Sequence, residues 1–153
     1  MIYNHDMDGN VKISWNDFDF LVNNRLTERI TYKGLEFDTI LGIGRGGLIA
    51  ATALSYKLDI KNLQNFGLNT RHSDQVVLYQ KPNVFGKVLV VDDINDSGRT
   101  FTIAKKYLDE NYSEIDSVKY ASLILRNKTS FRHEILYGNE FFIDNWFTFP
   151  WDK

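Results

Sequence analysis

Val88-Leu-Val-Val-Asp-Asp-Ile-Asn-Asp-Ser-Gly-Arg-Thr100 decides how the rest of the chain is read. Four aliphatics, three of them β-branched, predict a buried strand over 88–91. Asp92 and Asp93 leave that strand together, and Asp96 follows four residues after Asp92. Ser97, Gly98, Arg99 and Thr100 then lead into a helix expected over 100–111. Hydroxyls, a permissive glycine and the unpaired N–H groups of a helix N-terminus are what a phosphate needs. Carboxylates beside a phosphate would repel it unless they do other work. They can accept hydrogen bonds from sugar hydroxyls, or hold a divalent metal that bridges them to the ligand. A solvated acidic cap is the plainer alternative, and it leaves the whole D-D-x-x-D-S-G-x-T string unexplained.

Working outward, Asp38 to Ile43 reads as a short buried strand, followed by a glycine turn, Gly44-Arg-Gly-Gly47, and an Ala- and Leu-rich helix over Leu48 to Leu58. Gly42 to Gly47 formally matches G-x-G-x-x-G. A dinucleotide site also needs an acidic residue at the end of the next strand. That weaker strand, 63–68, ends in Leu68-Asn-Thr, with no carboxylate. A Walker A loop fails as well, because no Lys-Ser or Lys-Thr follows the glycines. What remains is a short anion loop, made of backbone N–H groups and Arg45. Residues 70–83 read as a long loop or hairpin, with a short apolar stretch at Val76 to Leu78.

Near the N-terminus, Ser14 with Asp17 three residues on is a capping-box pair. Trp15, Phe18, Leu21, Val22, Leu26 and Ile30 follow at helical spacing and predict one buried stripe, ending before Gly34. Downstream, strands are expected over 118–125 and 140–143, before an aromatic tail, Asn145-Trp-Phe-Thr-Phe-Pro-Trp151. This order of strands and helices predicts an α/β fold: a mostly parallel twisted sheet flanked by helices on both faces. In such sheets ligands sit beyond the carboxyl ends of the strands, where both unusual loops fall.

The bulk properties set limits. At 153 residues the chain fits one domain spanning 1–153. With 18 Lys+Arg against 20 Asp+Glu the formal net charge is -2, so nothing global attracts nucleic acid. There is no Cys, which excludes disulfides, thiolate nucleophiles and Cys-ligated zinc. No apolar run approaches the length of a membrane span, and Met1 to Lys12 lacks the apolar region of a leader, so the expectation is a cytoplasmic protein with no membrane partner. His5, His72 and His133 are scattered and form no ligand pair; Lys105 and Lys106 read as a solvated helix face.

The stretch Val88 to Thr100 resembles the 5-phosphoribosyl-1-diphosphate (PRPP) signature of type I phosphoribosyltransferases. Gly44-Arg-Gly-Gly47 resembles that family's pyrophosphate loop. Trp146-Phe-Thr-Phe-Pro-Trp-Asp152 resembles the W-x-x-x-P-W-[DE] end of its bacterial xanthine-guanine members. The resemblance implies a core over about 36–125 and a small C-terminal base-binding hood over about 126–153. It implies transfer of the phosphoribosyl group from PRPP to N9 of a 6-oxopurine, with Mg2+ as cofactor and a homodimer or homotetramer as the assembly. Asp92 and Asp93 would bind the ribose hydroxyls directly or through the metal. Asp96 would move the proton at the purine N7, and Ser97, Gly98, Arg99 and Thr100 would cradle the 5-phosphate. Gly44, Arg45, Gly46 and Gly47 would hold pyrophosphate, with a peptide before Arg45 that is often cis in relatives. Trp146 would stack on the base unless it packs in an aromatic cluster or a dimer contact, and the Phe147 backbone would read the base edge. Either Arg126 or Lys128 would donate to the purine O6. Where relatives carry a Ser-Tyr-like pair in the loop that covers the site, this chain has Asn69-Thr-Arg-His-Ser-Asp74. A PRPP-sensing regulatory protein on the same fold is the alternative reading; retention of Asp96 and the absence of an added domain disfavour it.

Overall fold

A computed structural model describes residues 3–68, 80–132 and 135–152. The loop expected over 70–83, including Asn69 to Asp74, lies outside the described residues except for its last four positions.

The chain opens with two short strands, β1 (Asn4–His5) and β2 (Val11–Lys12), which pair antiparallel. Such short segments carry no periodicity, so the sequence pattern does not announce them. The first helical segment starts as expected. The Ser14 hydroxyl accepts from the Asp17 N–H at 3.1 Å, and an Asp17 carboxylate oxygen accepts from the Ser14 N–H at 2.8 Å. The segment runs as α1 (Trp15–Phe20), a π-helical stretch (Leu21–Thr27) and α2 (Glu28–Tyr32). Leu21, Val22, Leu26 and Ile30 form the buried stripe. Trp15 does not join it: it is 58% exposed and lies 6.0 Å from the Trp151 ring and 5.7 Å from Phe18, in an aromatic cluster at the helix start. Helical spacing cannot see such a partner from the other end of the chain.

The main sheet contains β3 (Thr39–Ile43), β4 (Asn62–Phe66), β5 (Gly86–Asn95), β6 (Ile115–Arg126) and β7 (Ile135–Phe141), in the order β4-β3-β5-β6-β7 and parallel throughout. Two helices connect these strands: α3 (Gly44–Leu58) and α4 (Arg99–Asn111). Side chains alternate across the sheet. Ile40, Leu89 and Val91 pack against Ala50, Ala51 and Leu54 of α3 and against the first helical segment. Leu41, Val88 and Val90 pack against Phe101, Ala104 and Leu108 of α4. Both faces are covered, which is why 88–91 reads as an unbroken aliphatic run.

Three boundaries differ from the sequence reading. The expected glycine turn is instead the first turn of α3, entered through Gly44 at φ 61°. β5 continues past Val91 through both acids, because its pairing with β6 continues through Asp92↔Ser122 and Asn95↔Leu125. Backbone ladder bonds do not depend on side-chain polarity. The last main strand lies at 135–141 rather than 140–143; Gly138 and the polar pair Asn139-Glu140 hide its apolar pattern.

A second, three-stranded sheet has the order β1-β2-β8, with β8 (Phe147–Thr148) parallel to β2. This C-terminal hood thus builds on the N-terminal hairpin. Among the described residues no helix is long and apolar enough to cross a membrane.

Replacing Ser14 by Ala removes the cap from the first helical segment. We expect a loss of about 1 kcal/mol of stability, measurable as a lower urea midpoint at unchanged slope.

Candidate active site

A parallel sheet carries the C-terminal ends of all its strands to one edge. β3 and β5 are neighbours, so the start of α3 meets the end of β5 there. The contact is too close for any side chain. A Cβ on Gly46 would collide with the carboxylate of Asp93, and one on Gly47 would lie 2.6 Å from the Val91 carbonyl oxygen and 3.2 Å from Asp92 Oδ1. The two glycines therefore admit the acid pair to the first turn of α3, and the two loops form one site. No side chain caps this helix N-terminus. Arg45 is exposed beside it, without an ion-pair partner among the described residues. The Asn65 side chain donates to the carbonyls of Gly42 at 3.0 Å and Gly44 at 2.8 Å, latching the glycine segment to β4.

The second loop is braced in a similar way. Gly98 caps α4 at φ 90°, and no side chain occupies the N-terminal position. The Arg99 N–H donates to Ser97 Oγ at 3.3 Å. The Ser97 carbonyl accepts from both the N–H and the hydroxyl of Ser130, at 3.0 and 2.9 Å. Beneath it, buried Asn95 donates to the Phe131 carbonyl at 3.0 Å and accepts from the Thr129 hydroxyl at 2.7 Å. The 127–131 turn thus fixes the loop that carries Ser97 and Gly98 and leads to Thr100. Sequence reasoning missed Asn65 and Asn95. Neither leaves a sequence signal: Asn95 is the last residue of β5, and its partners come from the 127–131 turn.

Asp92 and Asp93 keep partly accessible surfaces but are crowded by protein. Burial pushes the Asp92 carboxyl well above the ordinary carboxylate range, and the neighbouring charge of Asp93 adds to the effect. Burial also raises Asp93. Two partly desolvated like charges, with oxygen donors only, suit a hard divalent cation. No group of three or more candidate metal-ligating side chains occurs among the described residues. A magnesium ion here would therefore share its coordination with substrate oxygens or water, as that ion commonly does.

Asp96 meets two cations. Arg126 Nε lies 3.0 Å from Asp96 Oδ1, without hydrogen-bond alignment, and Lys128 Nζ lies 3.5 Å from the same oxygen. Arg126 is 1% exposed, whereas half of the Lys128 side chain is open to solvent. Beside them stands Trp146, 55% exposed and with no ring partner among the described residues. The aromatic cluster of Trp15, Phe18, Phe149 and Trp151 excludes it. Its backbone is held from below: Trp146 N–H donates to Asn10 Oδ1 at 3.1 Å, and its carbonyl accepts from the Val11 N–H at 2.9 Å. By the alternation of a parallel ladder, the N–H and C=O of Phe147 point away from β2 on the sheet's open edge. The Phe147 ring itself is buried, 4.7 Å from Phe141. Every peptide bond of the described residues is trans, including the one before Arg45, so the cis form frequent in relatives is not adopted.

The phosphoribosyl transferase domain model matches residues 16–152. The chain belongs to the phosphoribosyltransferase family. It is 28% identical over 134 residues to a xanthine-guanine phosphoribosyltransferase of Nitratidesulfovibrio vulgaris, covering 84% of this chain and 74% of that one. A purine phosphoribosyltransferase from Pyrococcus horikoshii superposes with a TM-score of 0.77 at 28% identity, over 94% of this chain and 95% of that one. A Neisseria gonorrhoeae protein crystallised with bound ppGpp superposes with a TM-score of 0.73 at 26% identity, over 93% and 89%.

The raised carboxyls have a thermodynamic consequence. The folded state holds protons that the unfolded chain releases, so this pair's contribution to stability falls as pH rises from about 4 through the raised folded-state values. Asp93→Asn removes one member of the pair. In the absence of ligand, its stability advantage over the wild type should therefore grow with pH over that window, as read by urea unfolding at several pH values.

Proposed function

We propose that this phosphoribosyltransferase transfers the 5-phosphoribosyl group from PRPP to N9 of a 6-oxopurine (guanine, xanthine or hypoxanthine) and releases pyrophosphate, with Mg2+ as cofactor, in nucleotide salvage. The observation that carries this reading is the seating of Gly46 and Gly47 on Asp93 and Asp92. It supports the reading because the uncapped start of α3 meets the acid pair, and the Ser97–Thr100 stretch follows that pair in the chain. The purine enzymes among the similar proteins, and the relative that holds a purine nucleotide with two diphosphates, support a ligand of this class.

The chemistry follows from where charge develops. As the bond between ribose C1 and the pyrophosphate oxygen breaks, the sugar becomes cationic and the leaving group gains negative charge; the new bond forms between C1 and purine N9. The first-turn N–H groups of α3 and the Arg45 guanidinium stabilise the leaving pyrophosphate. Ser97, Gly98, Arg99 and Thr100 hold the 5-phosphate on the uncapped start of α4. Asp92 and Asp93 orient the ribose hydroxyls and face the developing cation. When bound, Mg2+ supplies charge neutralisation on the pyrophosphate and relieves the repulsion of the acid pair. Asp96 accepts the proton at purine N7 while N9 attacks. Trp146 stacks on the base, and the outward backbone groups of Phe147 read its edge.

The direct test mixes protein, Mg2+, PRPP and each purine base and looks for nucleotide. Asp96→Asn should bind PRPP normally and turn over about 10²–10⁴-fold more slowly. Wild-type turnover in that variant would refute the role of Asp96. PRPP binding without product for any base would favour a sensor.

A further inference from the structure

Arg126 is the last residue of β6, and its guanidinium leaves the main sheet for the hood. Nη1 donates to the Asn145 carbonyl at 2.7 Å and Nη2 to the Ile143 carbonyl at 2.9 Å. The guanidinium carbon lies 5.6 Å from the centre of the Phe147 ring. The remaining nitrogen, Nε, faces Asp96 Oδ1. One planar cation thus joins the carboxylate after β5 to three successive points of the segment that carries Trp146. The rigid fork makes this possible: Arg presents donors in fixed, divergent directions, whereas a lysine ammonium concentrates its donors at one atom. Both bonds are part-buried and tie the segment to the end of β6.

We infer that Arg126 is a positioning residue that couples Asp96 to the 143–147 backbone. The inference rests on the proposed transfer reaction. Arg126 is sealed from solvent with two nitrogens committed to carbonyls, so no edge of it is offered to a ligand. Lys128 stands on the solvent side of the same carboxylate oxygen, half exposed, and the Thr129 N–H bond to the Arg126 carbonyl at 3.1 Å fixes the turn that carries it. Asp96 and the hood would then keep one spacing whether or not a base is bound.

The test compares Arg126→Gln, Arg126→Lys and Lys128→Gln by steady-state kinetics and by amide hydrogen exchange. Arg126→Gln should speed exchange over 143–147 while β5 stays protected, lower kcat about 10²-fold as geometry loosens, and leave the KM for PRPP unchanged. Arg126→Lys should resemble it, because one ammonium cannot serve three separate acceptors; it also covers the case in which the Gln variant does not fold. Lys128→Gln removes the exposed cation on the same carboxylate and should keep wild-type exchange over 143–147. The proposal is overturned if Arg126→Lys retains wild-type kcat and base KM. It is also overturned if exchange over 143–147 in Arg126→Gln does not change or rises equally in β5, or if Lys128→Gln speeds that exchange as much. Exchange needs no turnover, so a wild-type protein that makes no nucleotide would refute the transfer reaction while the coupling is still read from the 143–147 amides.

Discussion

Nothing fits between the first turn of α3 and the carboxylates at the end of β5, and the site depends on that contact. Gly46 stands on Asp93 and Gly47 on the Val91–Asp92 backbone. The sheet order makes the meeting unavoidable: adjacent parallel strands deliver the end of one and the helix start after the other to the same edge. Burial raises both carboxyls, so the arrangement is unfavourable for the empty protein at neutral pH. A ligand bringing sugar hydroxyls and a cation would relieve it.

The hood has a different physical basis. The expected hood over 126–153 is divided: β7 is a strand of the five-stranded sheet, whereas 142–152 lies outside it, tied to it by Arg126 and by the Phe141–Phe147 ring contact and resting on the N-terminal hairpin. Asn145 donates to the Gly9 carbonyl, Asn10 accepts from Trp146, and β2 pairs with β8. The two ends of the chain therefore assemble one wall of the site together. Side-chain amides perform much of the latching elsewhere: Asn65 holds the glycine segment, and Asn95 holds the turn that supports the Ser97–Gly98 loop. Each satisfies backbone groups that the main ladders leave unpaired.

Much of this was legible in the sequence. The run 88–91 and the string that follows state a buried strand, an acid pair and a helix start after Gly98, because each is a local property of a few consecutive residues. The Ser14–Asp17 box was legible for the same reason. The π-helical stretch, the strand over Asp92 to Asn95, the hairpin at 4–12 and the exposed setting of Trp15 were not, since each depends on a partner distant along the chain. The aromatic tail was readable as a unit, but its spacing could not distinguish the packed Trp151 from the open Trp146.

By itself the sequence determined the class of fold, the two glycine-bearing segments and the acids between them, since period, turn chemistry and charge are written in neighbouring residues. Only the tertiary structure decided that those loops touch, that Asn65 and Asn95 hold them, and that Arg126 is buried while Lys128 is open. Arg126 and Lys128 are two residues apart and carry the same charge. What separates them is the set of carbonyls that the returning segment 143–147 presents to one and not the other, and a linear pattern cannot record that.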